Sequence, residues 1–187
     1  MEDFKQKKSV VLVYTGEGKG KTSASLGLMA RSLGNGWSVA FIQFIKYWEV
    51  SEHNFIKNIE PLYKDKLLFY KGGKGFYNAG KLSQKNVSEK QHKEAANITL
   101  QKALKCSQNG KFDLVICDEI NNAVSDGLLN ENDLKNLILL KSDGTSLCLT
   151  GRNFPPKFLK YVDIATNMDK IKHHYDQKYI ANKGIDY

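Results

Sequence analysis

The chain has 187 residues, 41% hydrophobic and 26% charged, an ordinary globular composition that can bury a core without disulfides or structural metals. That length corresponds to one domain, taken as 1–187; no apolar run approaches the ~20 residues of a membrane span, and the charged start MEDFKQKK lacks the apolar stretch of a secretory signal. The net charge of +8 describes either a lysine-rich solvated surface or a field that draws an anionic ligand such as ATP or nucleic acid.

In chain order, Val10 to Tyr14 reads as a short buried strand and Thr22 to Leu33 as a helix closed by Gly34 and Gly36. Ser38 to Phe44 is a second strand and Lys66 to Tyr70 a third. Gly72 to Lys85 holds four glycines around Phe76 and Tyr77. It reads either as a plain surface loop or as a mobile loop that closes over a ligand with its aromatics as contact surface. Ser88 to Ser107 is a long helix, opened by a capping box of Ser88 with Gln91. Phe112 to Cys117 is a buried strand, Glu131 to Lys141 a helix, Ser146 to Thr150 a strand, and Val162 to Thr166 a weaker one. Alternating strands and helices predict an α/β fold: a mainly parallel sheet with helices on both faces and ligands at the carboxyl ends of the strands. Cys106, Cys117 and Cys148, odd in number and widely spaced, read as buried free thiols of a reducing cytoplasm.

The stretch VVLVYTGEGKGKTSASLG is a strand, a glycine-rich turn and a helix. Successive backbone N–H groups in such a loop cradle phosphate oxygens, and the helix N-terminus adds its positive dipole end. Thr15, Gly16, Glu17, Gly18, Lys19, Gly20, Lys21, Thr22 and Ser23 are therefore the candidate nucleotide-binding residues. Lys21 supplies charge to the phosphates, and the Thr22 hydroxyl is placed to ligate Mg²⁺. The usual spacing G-x-x-x-x-G-K-[ST] has Thr15 at its first position here, and the first glycine is Gly16. FDLVICDEI ends a buried strand with Asp118 and Glu119, the acid half of a P-loop site, where a carboxylate holds Mg²⁺. The candidate metal set is thus Thr22, Asp118 and Glu119. A P-loop NTPase-like, RecA-like sheet is the fold these motifs specify.

Of 28 basic residues only Arg31 and Arg152 are arginine. Such economy suggests a place where a rigid bidentate fork matters, and Arg152 follows a strand end. Gln43 and Lys46, at and past the end of the second strand, face the ligand edge. His173 and His174 are expected at the surface or facing a ribose. His53 and His92 are expected to be solvated, and Trp37 and Trp48 to pack.

The segments TGEGKGKTSASLGLMARSLGNGWSVAFIQFIK, LVICDEI, LTGRNFP and terminal KGIDY together resemble the ATP:corrinoid adenosyltransferases of the P-loop type. The likeness runs in order from about Val10 to Tyr187. It implies transfer of the 5′-deoxyadenosyl group of ATP to the reduced cobalt of a corrinoid, with release of tripolyphosphate. It implies Gly16 to Thr22 on the triphosphate, Thr22 and Glu119 on Mg²⁺ with Asp118 beside them, and Arg152 on phosphate. Phe76 matches an aromatic that the family places near the corrin face, so Lys21, Arg152 and Phe76 are the catalytic candidates. ATP and a corrinoid are the expected substrates. A homodimer and a flavoprotein reductant are expected as protein partners; membrane and nucleic acid are not. Two departures stand out: Asn78 where relatives often carry tryptophan, and a short stretch before the first strand, from which no N-terminal lid helix is expected.

Other P-loop enzymes share the loop and the acid pair. A nucleoside kinase would show a lid with several arginines, and a nucleic-acid-dependent ATPase would bind DNA with steep salt dependence. A non-catalytic carrier would bind ATP and corrinoid and form no cobalt–carbon bond.

Overall fold

Apolar runs that alternate with amphipathic stretches bury themselves best as a parallel sheet with crossover helices on both faces. A computed structural model, describing residues 4–75, 77 and 86–186, has that architecture. Among the described residues six strands form one sheet: β1 (Val11–Thr15), β2 (Val39–Gln43), β3 (Leu67–Lys71), β4 (Leu114–Asp118), β5 (Ser146–Thr150) and β6 (Ile164–Asn167). Their order is β3-β2-β4-β5-β1-β6, and every pairing is parallel. The helices are α1 (Lys21–Gly34), α2 (Ser51–Ile59), α3 (Glu89–Gln108), α4 (Ile120–Ser125) and α5 (Glu131–Leu139).

Alternate residues of each strand serve opposite faces, so the sheet divides the core in two. Val11, Val13, Ala40, Ile42, Val115 and Leu147 face one cluster, completed by residues of α3, α4 and α5. Leu12, Val39, Phe41, Leu114, Ile116 and Cys148 face the other, completed by Met29 and Leu33 of α1 and Ile56 of α2. Ile56 is 1% exposed while its neighbour Phe55 is 49% exposed, so α2 is anchored through one large apolar side chain, a burial worth about 1.5–3 kcal/mol. The capping box of Ser88 and Gln91 is present, with Gln91 N donating to Ser88 Oγ and Ser88 N to Gln91 Oε1.

Several expectations change. Helices α2 and α4 were not anticipated. His53 and His92 are buried rather than solvated, and Trp37 is partly exposed rather than packed. The glycine-rich segment begins as a tightly held exit from the sheet. Gly72 N donates to Gln43 O and Gly75 N to Ile45 O, and a Cβ on Gly73 would lie 2.2 Å from the Ile45 carbonyl. Tyr77 packs on the core and against the His92 ring, so it is not free contact surface. Phe76 and Asn78 lie outside the described residues. The edge strand β6 pairs on one side only and all four of its residues are exposed, which is why its apolar signal was weak. The three cysteines are free and buried. No helix among the described residues is long and apolar enough to cross a membrane.

Because all strands run the same way, their carboxyl ends share one edge. That edge gathers the loop after β1, QFIK from β2, the acid pair from β4 and the TGR turn after β5. Strand β5 lies between β1 and β4.

Candidate active site

Strand β1 delivers the chain to Gly16, whose φ of 99° suits glycine. A Cβ there would also meet Met168 O at 2.5 Å. The outer side of the loop is laced to the segment after β6: Gly18 N donates to Met168 O at 2.6 Å, and Met168 N to Thr15 O at 2.8 Å. Lys21 closes the inner side. Its Nζ donates to Gly16 O and Gly18 O, both at 2.6 Å, folding the cation across the loop. Burial depresses the Lys21 pKa, and the nearby Arg152 charge adds to the effect. Gly20, the N-cap of α1, offers no capping side chain, which leaves first-turn N–H groups for an anion.

The acid side is built around Asp118, which is wholly buried. Its Oδ1 accepts from Thr22 Oγ1 at 3.1 Å and Thr150 Oγ1 at 2.7 Å. Its Oδ2 accepts from Gln43 Nε2 at 3.1 Å, with Lys46 Nζ at 3.8 Å. Lys46 is also paired with Glu52 of α2. Burial alone would lower the Lys46 pKa, but Asp118, Glu119 and Glu52 outweigh it and raise it. Glu119 turns the chain into α4 at φ 63°, held by its N–H donating to Thr150 Oγ1 at 2.9 Å. Its Oε2 is buried without a hydrogen-bond partner. Burial, then the Asp118 charge, pushes the Glu119 carboxyl up to about 7.

The TGR turn is fixed by two asparagines of α4. Asn121 Nδ2 donates to Gly151 O at 3.2 Å, and Arg152 N donates to Asn122 Oδ1 at 2.7 Å. The Arg152 side chain, more than half exposed, reaches back to Glu17, with Nε 3.3 Å from Oε2. Farther along, the C-terminal segment folds onto the loop. Asp186 lies 3.5 Å from both Lys19 Nζ and His174 Nε2. Gly18, Lys19, His173, His174 and Asp186 line a cleft of about 400 Å³. Gly16, Glu17, Asn153 and Phe154 line another of about 550 Å³.

The fold thus brings Lys21, Thr22, Asp118, Glu119 and Lys46 to one place, with Arg152 and Glu17 nearby. Ser23 is exposed on α1 and Lys19 is turned toward Asp186. The Thr15 hydroxyl accepts from Phe154 N at 3.2 Å, so it braces the TGR segment. Gln43 is 1% exposed and sits behind Asp118 instead of facing the ligand edge. Sequence reasoning missed Thr150, Asn121, Asn122 and His53. The polar pair after the acid motif was the one local signal available for the asparagines.

The sequence profile of the family described as ATP:corrinoid adenosyltransferase BtuR/CobO/CobP matches residues 7–187. The chain belongs to this family. The corrinoid adenosyltransferase of Pseudomonas aeruginosa is 27% identical over 184 residues, covering 98% of this chain and 86% of that protein. Corrinoid adenosyltransferase CobA of Salmonella typhimurium is 28% identical over 190 residues, covering 97% and 87%. Among solved structures, the flagellar accessory protein FlaH from Methanocaldococcus jannaschii matches with a TM-score of 0.51 at 15% identity, over 86% of this chain and 71% of that one, a likeness of fold alone. Membership makes the chain an ATP-using transferase acting on a corrinoid, and does not favour the kinase and nucleic-acid ATPase alternatives.

Proposed function

We propose that the loop from Thr15 to Thr22 holds the triphosphate of Mg-ATP while the cobalt(I) of a corrinoid attacks C5′. The cobalt electron pair forms the cobalt–carbon bond, the C5′–O bond breaks, and its electrons leave on tripolyphosphate. One observation carries the reading: Thr22 Oγ1 lies within hydrogen-bond distance of the buried Asp118 carboxylate, beside the lysine-closed loop. Hard oxygen donors at that point suit Mg²⁺, which usually keeps one or two protein ligands and takes the rest from phosphate and water. The unpartnered Glu119 Oε2 is a further oxygen acceptor, within range of the Asp118, Lys46 and Lys21 charges. Bound there, Mg²⁺ neutralises charge on the phosphate chain.

The chain's own residues do the remainder. Lys21 leaves the loop carbonyls for phosphate oxygens, the loop N–H groups stabilise charge that develops on the leaving group, and Arg152 swings from Glu17 to the same anion. No protein nucleophile takes part. Phe76 is the residue to displace a lower axial cobalt ligand and exclude water, which eases reduction. A flavoprotein electron source, a homodimer and a cytoplasmic setting that keeps the three thiols reduced belong to the same reading.

Lys21→Ala tests it. Transition-state stabilisation should fall by roughly 2–4 kcal/mol, the scale of one lost electrostatic donor, and calorimetry should show weaker Mg-ATP binding. Near-normal turnover would remove the loop from the mechanism.

A further inference from the structure

The buried carboxylate of Asp118 is the end of a chain of hydrogen bonds that starts in α2. Gln43 Nε2 donates to Asp118 Oδ2 at 3.1 Å. With that end of the amide facing a carboxylate, its Oε1 faces the other way and accepts, because an acceptor turned toward Asp118 would be repelled. The partner of Gln43 Oε1 is His53 Nε2 at 2.7 Å, so this ring nitrogen carries the proton. The other ring nitrogen, Nδ1, lies 3.4 Å from Val50 N, whose N–H it accepts. Each group in the series from Val50 N–H through His53 and Gln43 to Asp118 thus has one possible polarity. His53 is 9% exposed and lies against the Phe69 ring. Burial, then the Lys71 charge, lowers its pKa, in keeping with a neutral ring. A second link runs in parallel: Glu52, next to His53, pairs with Lys46, which lies 3.8 Å from Asp118 Oδ2.

We propose that His53, as the neutral Nε2–H tautomer, is a positioning residue that acts through Gln43 to hold the Asp118 carboxylate in the orientation that receives Mg²⁺. The proposal rests on the reading of Asp118 given above. Partners of this kind fix a ligand's direction and its basicity. Here they also tie α2, which follows the QFIK turn, to the phosphate edge of the sheet.

The test compares two near-isosteric replacements, His53→Gln and His53→Met, in the full-length protein. Glutamine keeps an N–H donor that reaches Gln43; methionine fills the space without one. ATP affinity is measured calorimetrically with Mg²⁺ and with EDTA, and the gain due to Mg²⁺ is the readout. His53→Met should lose several-fold of that gain, up to about the ten-fold that removing a ligand's direct partner costs, with its affinity in EDTA unchanged. His53→Gln should stay near wild type, and Asp118→Asn should lose the gain as well. If His53→Met keeps the gain while Asp118→Asn loses it, the relay is overturned and the Asp118 reading stands. If Asp118→Asn keeps it, that reading falls and takes the relay with it. Equal losses in the glutamine and methionine variants would make His53 a packing residue and overturn the proposal. A measurement on the unaltered protein decides the matter even where a variant fails to fold. Nitrogen-15 NMR of the His53 ring should show the neutral Nε2–H tautomer at neutral pH, and an Nδ1–H or doubly protonated ring would overturn the assignment.

Discussion

Glu119 has a carboxyl group raised from the ordinary 4.5 to about 7 by burial and by Asp118, and that shift fixes a sign. Between those values the folded chain holds a proton that the unfolded chain has released, so the ligand-free protein loses stability as pH rises through this window. Above it both states are ionised and the loss is complete. Glu119→Gln removes the buried charge. It should melt higher than wild type at about pH 8, with the gap closing toward about pH 5; a gap independent of pH would mean that ionisation of Glu119 is not the cause. Arg152 presents the opposite case, a charge held loosely. Its pair with Glu17 is more than half exposed on both sides, and such pairs contribute about 0–1 kcal/mol, so turning toward a phosphate costs little. Lysine keeps the charge and loses the planar fork. Arg152→Lys should therefore lower kcat/KM for ATP by roughly ten-fold or more, since a hydrogen bond to a charged group is worth about 1.5–3 kcal/mol. Wild-type kinetics in that variant would make Arg152 a bystander.

Strand β5 lies between β1 and β4, and Thr150 at its end joins the two halves of the site. Its hydroxyl donates to Asp118 Oδ1 and accepts from Glu119 N, so one buried oxygen sets both acid residues. Thr150→Val keeps the shape and deletes both bonds. It should destabilise the fold by about 1–3 kcal/mol, the cost of leaving buried groups unpaired, and weaken Mg-ATP binding; unchanged melting and unchanged affinity would contradict this role. The elements that carry the site differ in how far their residues announce them. Strands β1, β2, β4 and β5 are unbroken apolar runs, and the phosphate loop is a contiguous motif, so both were legible. Helix α2 was not, because its nine residues hold few apolar positions and bury one large one. Helix α4 is six residues long and starts from a left-handed Glu119, a conformation that local propensity opposes. The buried place of His53 depends on Gln43, ten residues earlier and brought close only by the turn between β2 and α2. Charged and amide neighbours made the same histidine read as solvated. Asn121 and Thr150 were hidden for a like reason, since their partners lie about thirty residues away in the chain.

At the level of the whole chain, the parallel sheet collects the carboxyl ends of four central strands on one edge and surrounds that edge with cations. Lys19, Lys46 and Arg152 stand on the loops that leave it, and Lys21 opens α1. The excess of +8 gives the molecule a field that attracts a polyphosphate. Charge and backbone N–H groups recognise the phosphate chain without regard to which bond will break, so the same loop serves attack at the γ-phosphorus or at C5′. The product separates the two. With Mg-ATP and a chemically reduced corrinoid, attack at C5′ predicts tripolyphosphate in one-to-one ratio with a light-sensitive cobalt–carbon product, and little ADP when corrinoid is withheld. ADP as the main product, formed at the same rate with or without corrinoid, would contradict it.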